Sequence, residues 1–187
     1  MGRYGYSSYG WPAYVPVAAR RRRAAAKLKS LQKQGRKFQP IELPGRKIAA
    51  TFWGQAWCKH LEAYSDYANR LPRGRSYVRN GSVLDLRITE GKVVALVSGS
   101  HLYQIEIRIK SLETAKWNRM IRACAGKIDS LIELLQGKIS HHVMAVLTHQ
   151  TNGMFPSPRH IALECSCPDW AEMCKHVAAT LYGVAAR

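Results

Sequence analysis

Leu84-Asp85-Leu86-Arg87-Ile88-Thr89-Glu90-Gly91-Lys92-Val93-Val94-Ala95-Leu96-Val97 reads as two strands joined by a turn. Leu84, Leu86 and Ile88 alternate with Asp85, Arg87 and Thr89, the period of a strand with one face in a core. Glu90-Gly91 reverses the chain, and the apolar run Val93 to Val97 returns as a more fully buried strand. Tyr103, Ile105, Ile107 and Ile109 then alternate with Gln104, Glu106, Arg108 and Lys110, adding a third strand and making an antiparallel meander. Upstream, Arg73 to Arg79 is expected to lead as a loop into Asn80-Gly81, a dipeptide favoured in hairpin turns because both positions tolerate positive φ.

Helical spacing flanks the meander, so the expected class is α+β. Thr51 can cap a helix carrying Trp57, Leu61, Tyr64 and Ala68 on one face, with Leu71-Pro72 ending it. After Leu112, Trp117, Ile121, Cys124, Ile128, Leu131 and Leu135 recur at spacings of three and four; Gly126 divides this stretch and Gly137 stops it. A further helix is expected over Ser140 to His149, followed by a loop through Asn152-Gly153, Pro156 and Pro158.

The 187 residues carry 29 Lys+Arg against 12 Asp+Glu, a net charge of +17, which points to a polyanionic partner, nucleic acid above all, rather than a small-molecule substrate. Residues 1 to 60 hold 13 of the basic side chains and one acid, Glu42. Tyr4, Tyr6, Tyr9, Trp11 and Tyr14 lie among Gly, Ser and Pro, a composition expected to stay extended or disordered. The run Arg20 to Arg23 with Lys27, Lys29, Lys33, Arg36 and Lys37 is expected to form a short basic helix until Gly35. Three regions follow: a basic aromatic tail over 1–44, a core over 45–137, and a helix, loop and metal-binding module over 138–187. No stretch reaches the ~18 consecutive apolar residues of a membrane span. Five cysteines, an odd number, behind a start that is no signal segment favour a cytoplasmic protein over a secreted disulfide framework.

Cys165-Ser166-Cys167-Pro168-Asp169-Trp170-Ala171-Glu172-Met173-Cys174-Lys175-His176 is the most specific signal: C-x-C, six residues, C-x-H. Zinc takes four S or N donors at tetrahedral corners, and Cys165, Cys167, Cys174 and His176 saturate it, leaving no open position for catalysis. Residues two apart diverge on regular elements, so both pairs must sit at bends. Pro168 supplies one; the other is expected at the entry to a C-terminal helix over Val177 to Tyr182, with a strand over Arg159 to Glu164 delivering Cys165. Cys58-Lys59-His60 repeats Cys174-Lys175-His176 but falls mid-helix, where a two-residue step turns about 200°, so it is assigned to packing and surface. Cys124 is assigned to a core, and His160 is the nearest candidate for orienting a metal ligand.

The motif resembles the SWIM-type zinc finger, with Cys165, Cys167, Cys174 and His176 at its four ligand positions. The segments Phe52 to Trp57, Arg70 to Arg75 and Cys165 to Trp170 resemble bacterial SWIM zinc finger family proteins over residues 40 to 187. The resemblance implies a partner of helicase-like, chromatin-remodeller-type ATPases and binding to DNA or to proteins; because members continue beyond the finger, a short or truncated form is expected. The leading expectation is a non-catalytic zinc module engaging nucleic acid, DNA favoured, through Arg20, Arg21, Arg22, Arg23, Lys27, Arg36, Lys37, Arg70, Arg73, Arg75 and Arg79, with Tyr77 as a stacking platform. The alternative is an adaptor docking on such an ATPase through Trp53, Trp57 or Trp170.

Overall fold

The computed structural model describes residues 15–35, 37–64, 69–126 and 139–187. It is α+β: a four-stranded antiparallel sheet in the order β1-β2-β3-β4, packed with helices. The meander is present as β1 (Val83–Thr89), β2 (Lys92–Ser98) and β3 (Leu102–Ile109), with Gly91 at φ +65° in the β1–β2 turn. β4 (Ile161–Cys165) returns from far along the chain to pair with β3, placing Cys165 opposite Ile105. Val93, Ala95 and Val97 of β2 and Tyr103, Ile105 and Ile107 of β3 are buried on one face, as their alternation requires.

β1 departs from the expected pattern. A register irregularity between Val83 and Asp85 turns Leu84 to the other face, while Leu86 stays in the main core and Ile88 is half exposed. Leu84 meets Ala24 and Leu31 of α1 (Val17–Gln32), so the basic helix covers the second face of the sheet. Gln39 to Ile41 then runs along the edge of β1, with Ile41 N–H donating to Val83 O and Leu86 N–H to Gln39 O. That pairing blunts an otherwise open edge. The aromatic residues Tyr4 to Tyr14 lie outside the described residues.

α2 (Phe52–Glu62) begins as expected, with Thr51 Oγ1 accepting from Gly54 N–H, and buries Trp57 and Leu61. Ala68 lies outside the described residues. Contrary to expectation, Leu71-Pro72 starts a helix, α3 (Leu71–Arg79), rather than ending one. Proline is suited to a first helical turn, where its missing N–H has no partner to lose. Asn80-Gly81 is accordingly a helix stop and not a hairpin turn. Gly81, at φ +66°, donates to Val78 O while Ser82 N–H donates to Tyr77 O, a Schellman closure.

α4 (Thr114–Cys124) buries Met120, whereas Trp117 and Ile121, expected to face a core, are 44% and 50% exposed; Cys124 is half-buried. Ile128, Leu131 and Leu135 lie outside the described residues. α5 (His141–Leu147) is capped by Ser140. α6 (Lys175–Ala186) is the centre of the molecule, with nine of its twelve residues buried. One core cluster joins Ile41, Trp57, Val78, Ile105, Ile107, Leu181 and Tyr182, crossing the boundary expected at residue 137.

Cys58 and His60 serve packing. The Cys58 thiol is pushed up to about 11 by burial and then by Glu62, which favours its neutral form. His60 is stacked on Trp57, and its Nε2 lies 2.9 Å from Pro156 O. Burial, opposed by the Pro156 bond, lowers its pKa below the usual 6.5. Well above pH 6.5 the ring is neutral in both the folded and the unfolded chain. As pH falls below 6.5 the unfolded chain takes up the proton first, so stability declines until the folded pKa is reached. Denaturation midpoints measured across this window should fall with acidification, and His60→Gln should flatten that part of the dependence.

Candidate metal centre

The two bends that the motif needs are built by different means. At the first, the β3–β4 ladder extends one step beyond Cys165: Ser166 N–H donates to Gln104 O at 3.0 Å, and Gln104 N–H to Ser166 Oγ at 2.9 Å. Asp169 then pins the knuckle to the start of α3 through Arg70, at 3.0 Å, and accepts from Ala171 N–H. At the second, Cys174 is the N-cap of α6, with its sulfur accepting from Val177 N–H at 3.5 Å, and His176 lies in the first turn.

Cys165, Cys167, Cys174 and His176 consequently converge, with donor atoms all within 4.8 Å of one another. His176 Nδ1 lies 3.9 Å from Cys165 Sγ and 3.8 Å from Cys174 Sγ, so Nδ1 is the nitrogen facing the sulfurs. Tetrahedral bonds of about 2.0–2.3 Å put neighbouring donors roughly 3.3–3.8 Å apart, so the set is close to closing around one ion. The residues can hold a metal ion with four protein donors.

The Cys174 thiol ionises more readily than an ordinary cysteine. Hydrogen bonding from Cys165 lowers its pKa most; His176 and the Val177 N–H add to this, against burial. The same Cys165–Cys174 contact, with burial, raises Cys165. The start of α6 also offers its dipole, and Lys175 lies beside it; three thiolates with a divalent ion sum to −1, so both are favourable.

His176 is clamped by aromatic contacts that sequence reasoning missed. Tyr103 stacks on it at 4.1 Å between centroids, Tyr77 meets it edge-on at 5.3 Å, and a Cβ on Gly99 would stand 3.0 Å from its Nε2. The signal for Tyr103 was available in its inward position on β3, two residues from the partner of Cys165. His160 does not reach the ligands: it sits before β4, at the strand's far end, with Nδ1 3.1 Å from Ser157 Oγ.

The expected nucleic-acid residues divide into two groups. Arg70 is spent on Asp169, and Arg75 pairs with Glu62 at 3.5 Å while lying over the Tyr182 ring. Tyr77 is half-buried against His176 rather than presented as a stacking platform. Arg22, Arg23, Lys27, Lys37 and Arg73 are exposed; Arg20, Arg21 and Arg79 gather where α1 approaches the end of α3, and Arg36 lies outside the described residues. Of the three tryptophans, Trp57 is core, donating to Leu181 O at 2.9 Å; Trp53 is 36% exposed and Trp170 is 100% exposed. Among the described residues, no helix is long and apolar enough to cross a membrane.

Fold and site define an α+β protein with a closed Cys3His cluster at the head of its central helix. The chain is 38% identical over 138 residues, 72% of its length, to an uncharacterized protein of Mycobacterium tuberculosis, and spans 50% of that relative. No protein-family model and no solved structure matches it.

Proposed function

We propose that this is a non-catalytic SWIM-type zinc module that binds nucleic acid, with DNA favoured. Zinc is the metal best suited to three soft thiolates and an imidazole in a four-donor site with no open position. The observation that carries the reading is the pairing of this cluster with a basic helix, whose Arg22, Arg23 and Lys27 are solvent-facing and take part in none of the ion pairs among the described residues. Such side chains bind phosphates by releasing counterions, which gives affinity with little base preference.

Trp170 favours a second reading, an adaptor for a helicase-like ATPase. A tryptophan fully exposed at the tip of the knuckle matches the aromatic anchors of protein interfaces. Salt separates the two. Fluorescence anisotropy with labelled duplex DNA should show affinity falling steeply with added salt, and Trp170→Ala should leave that affinity unchanged. A salt-insensitive affinity, or no binding at low salt, would remove the nucleic-acid reading and leave the adaptor.

A further inference from the structure

The start of α1, the segment Leu43–Arg46 and the end of α3 enclose a recess of about 660 Å³ lined by Arg20, Arg21, Arg46, Ser76, Arg79 and Asn80. No carboxylate lines it, and Arg21, Arg46 and Arg79 take part in none of the ion pairs among the described residues. Three guanidinium groups are instead positioned by main-chain oxygens. Arg20 Nε donates to Val15 O at 2.9 Å, Arg21 to Arg79 O at 2.8 Å, and Arg79 Nε to Arg46 O at 3.2 Å. Carbonyls orient Arg21 and Arg79 without neutralising them, and Arg46 lines the same recess, so the mutual repulsion of these three cations persists until an anion arrives. Asn80, 4% exposed, lines the same recess, and its buried Nδ2 has no hydrogen-bond partner among the described residues. A donor-rich, acid-free recess calls for an oxyanion with several acceptor oxygens.

We infer that this recess binds a phosphate group, that of a nucleic-acid backbone, and so fixes where the strand crosses α1 and α3. The inference rests on the nucleic-acid reading above and adds a specific seat to it. Its arginine geometry suits phosphate because each planar guanidinium can offer two parallel N–H groups to one oxyanion. Arg46, absent from the residues expected by sequence, is the informative position: it is exposed, and among the described residues only its main-chain oxygen is used by a neighbour.

The test compares Arg46→Glu with Arg122→Glu, an exposed site on α4 with the same charge change, in anisotropy titrations with single- and double-stranded oligonucleotides and in pyrophosphate titrations followed by phosphorus NMR. Arg46→Glu should weaken oligonucleotide binding about tenfold or more and lower the salt slope by about 1, with Arg122→Glu changing affinity less than about twofold. Equal losses in the two variants would overturn the seat while leaving nucleic-acid binding in place. If the wild-type protein binds no oligonucleotide yet binds pyrophosphate in an Arg46-dependent way, the recess takes phosphate from another source and the nucleic-acid reading alone fails. Binding of neither probe overturns both.

Discussion

Cys174→Ser should abolish metal binding and lower the stability of the whole molecule by at least about 4 kcal/mol, which for a chain of this size is a fall in Tm of roughly 8–16 °C. The substitution separates two roles of one side chain. Serine is a preferred N-cap, so the bond that Val177 N–H now makes to the Cys174 sulfur can be replaced. What is lost is one of four donors, and metal binding in such small sites can contribute about 10–16 kcal/mol, comparable to or larger than the ~5–15 kcal/mol stability of a typical domain. The cost reaches the core because α6 starts at the site and continues into the centre, where Val177, Ala178, Ala179, Thr180 and Tyr182 are fully buried. Metal content should fall to background, and circular dichroism should show one transition at lower temperature for helix and strand together. Cys124→Ser, a half-buried cysteine away from the cluster, should leave both unchanged.

Gly74→Val is expected to be nearly as damaging, by about 3 kcal/mol or more, for a reason that involves no metal. Gly74 is where α3 crosses α6. A Cβ there would meet Ala178 Cβ at 2.5 Å, Ala178 C at 2.8 Å and Ala179 N at 2.9 Å. Two of these three are main-chain atoms of a fully buried helix, which cannot move aside as a side-chain end would. The helices must separate, opening gaps around Val78 and Leu181, both about 1% exposed. Because Arg70 at the head of α3 holds Asp169, metal affinity should fall as well. Gly45→Ala, with nothing within 4 Å of the added carbon and no positive φ, is the matching control and should be neutral in chemical denaturation.

The metal cluster and the meander were legible in the sequence because each is a local pattern. C-x-C and C-x-H put all four donors within twelve residues, and β3 alternates without interruption. The failures occur where tertiary structure decides between local options. Leu71-Pro72 suits a helix start as well as a stop, and Asn80-Gly81 suits a helix end as well as a hairpin; α6 selects the first of each by supplying a surface for Leu71, Gly74 and Val78. Leu84 carries the right letter for the main core, yet one extra residue in the pairing with β2 sends it under α1. The charge count likewise indicated many arginines but could not distinguish Arg75, occupied by Glu62, from Arg46, which faces an acid-free recess. That distinction depends on neighbours more than twelve residues away in sequence.

We propose that Cys165, Cys167, Cys174 and His176 close around a single zinc ion and thereby hold the head of α6. X-ray absorption at the zinc edge of the purified full chain, together with its metal content, tests this most directly. The expected result is one zinc per chain with three sulfur neighbours at about 2.3 Å and one nitrogen at about 2.0 Å. A chain that folds with no bound metal, or a shell of oxygen and nitrogen without sulfur, would contradict it.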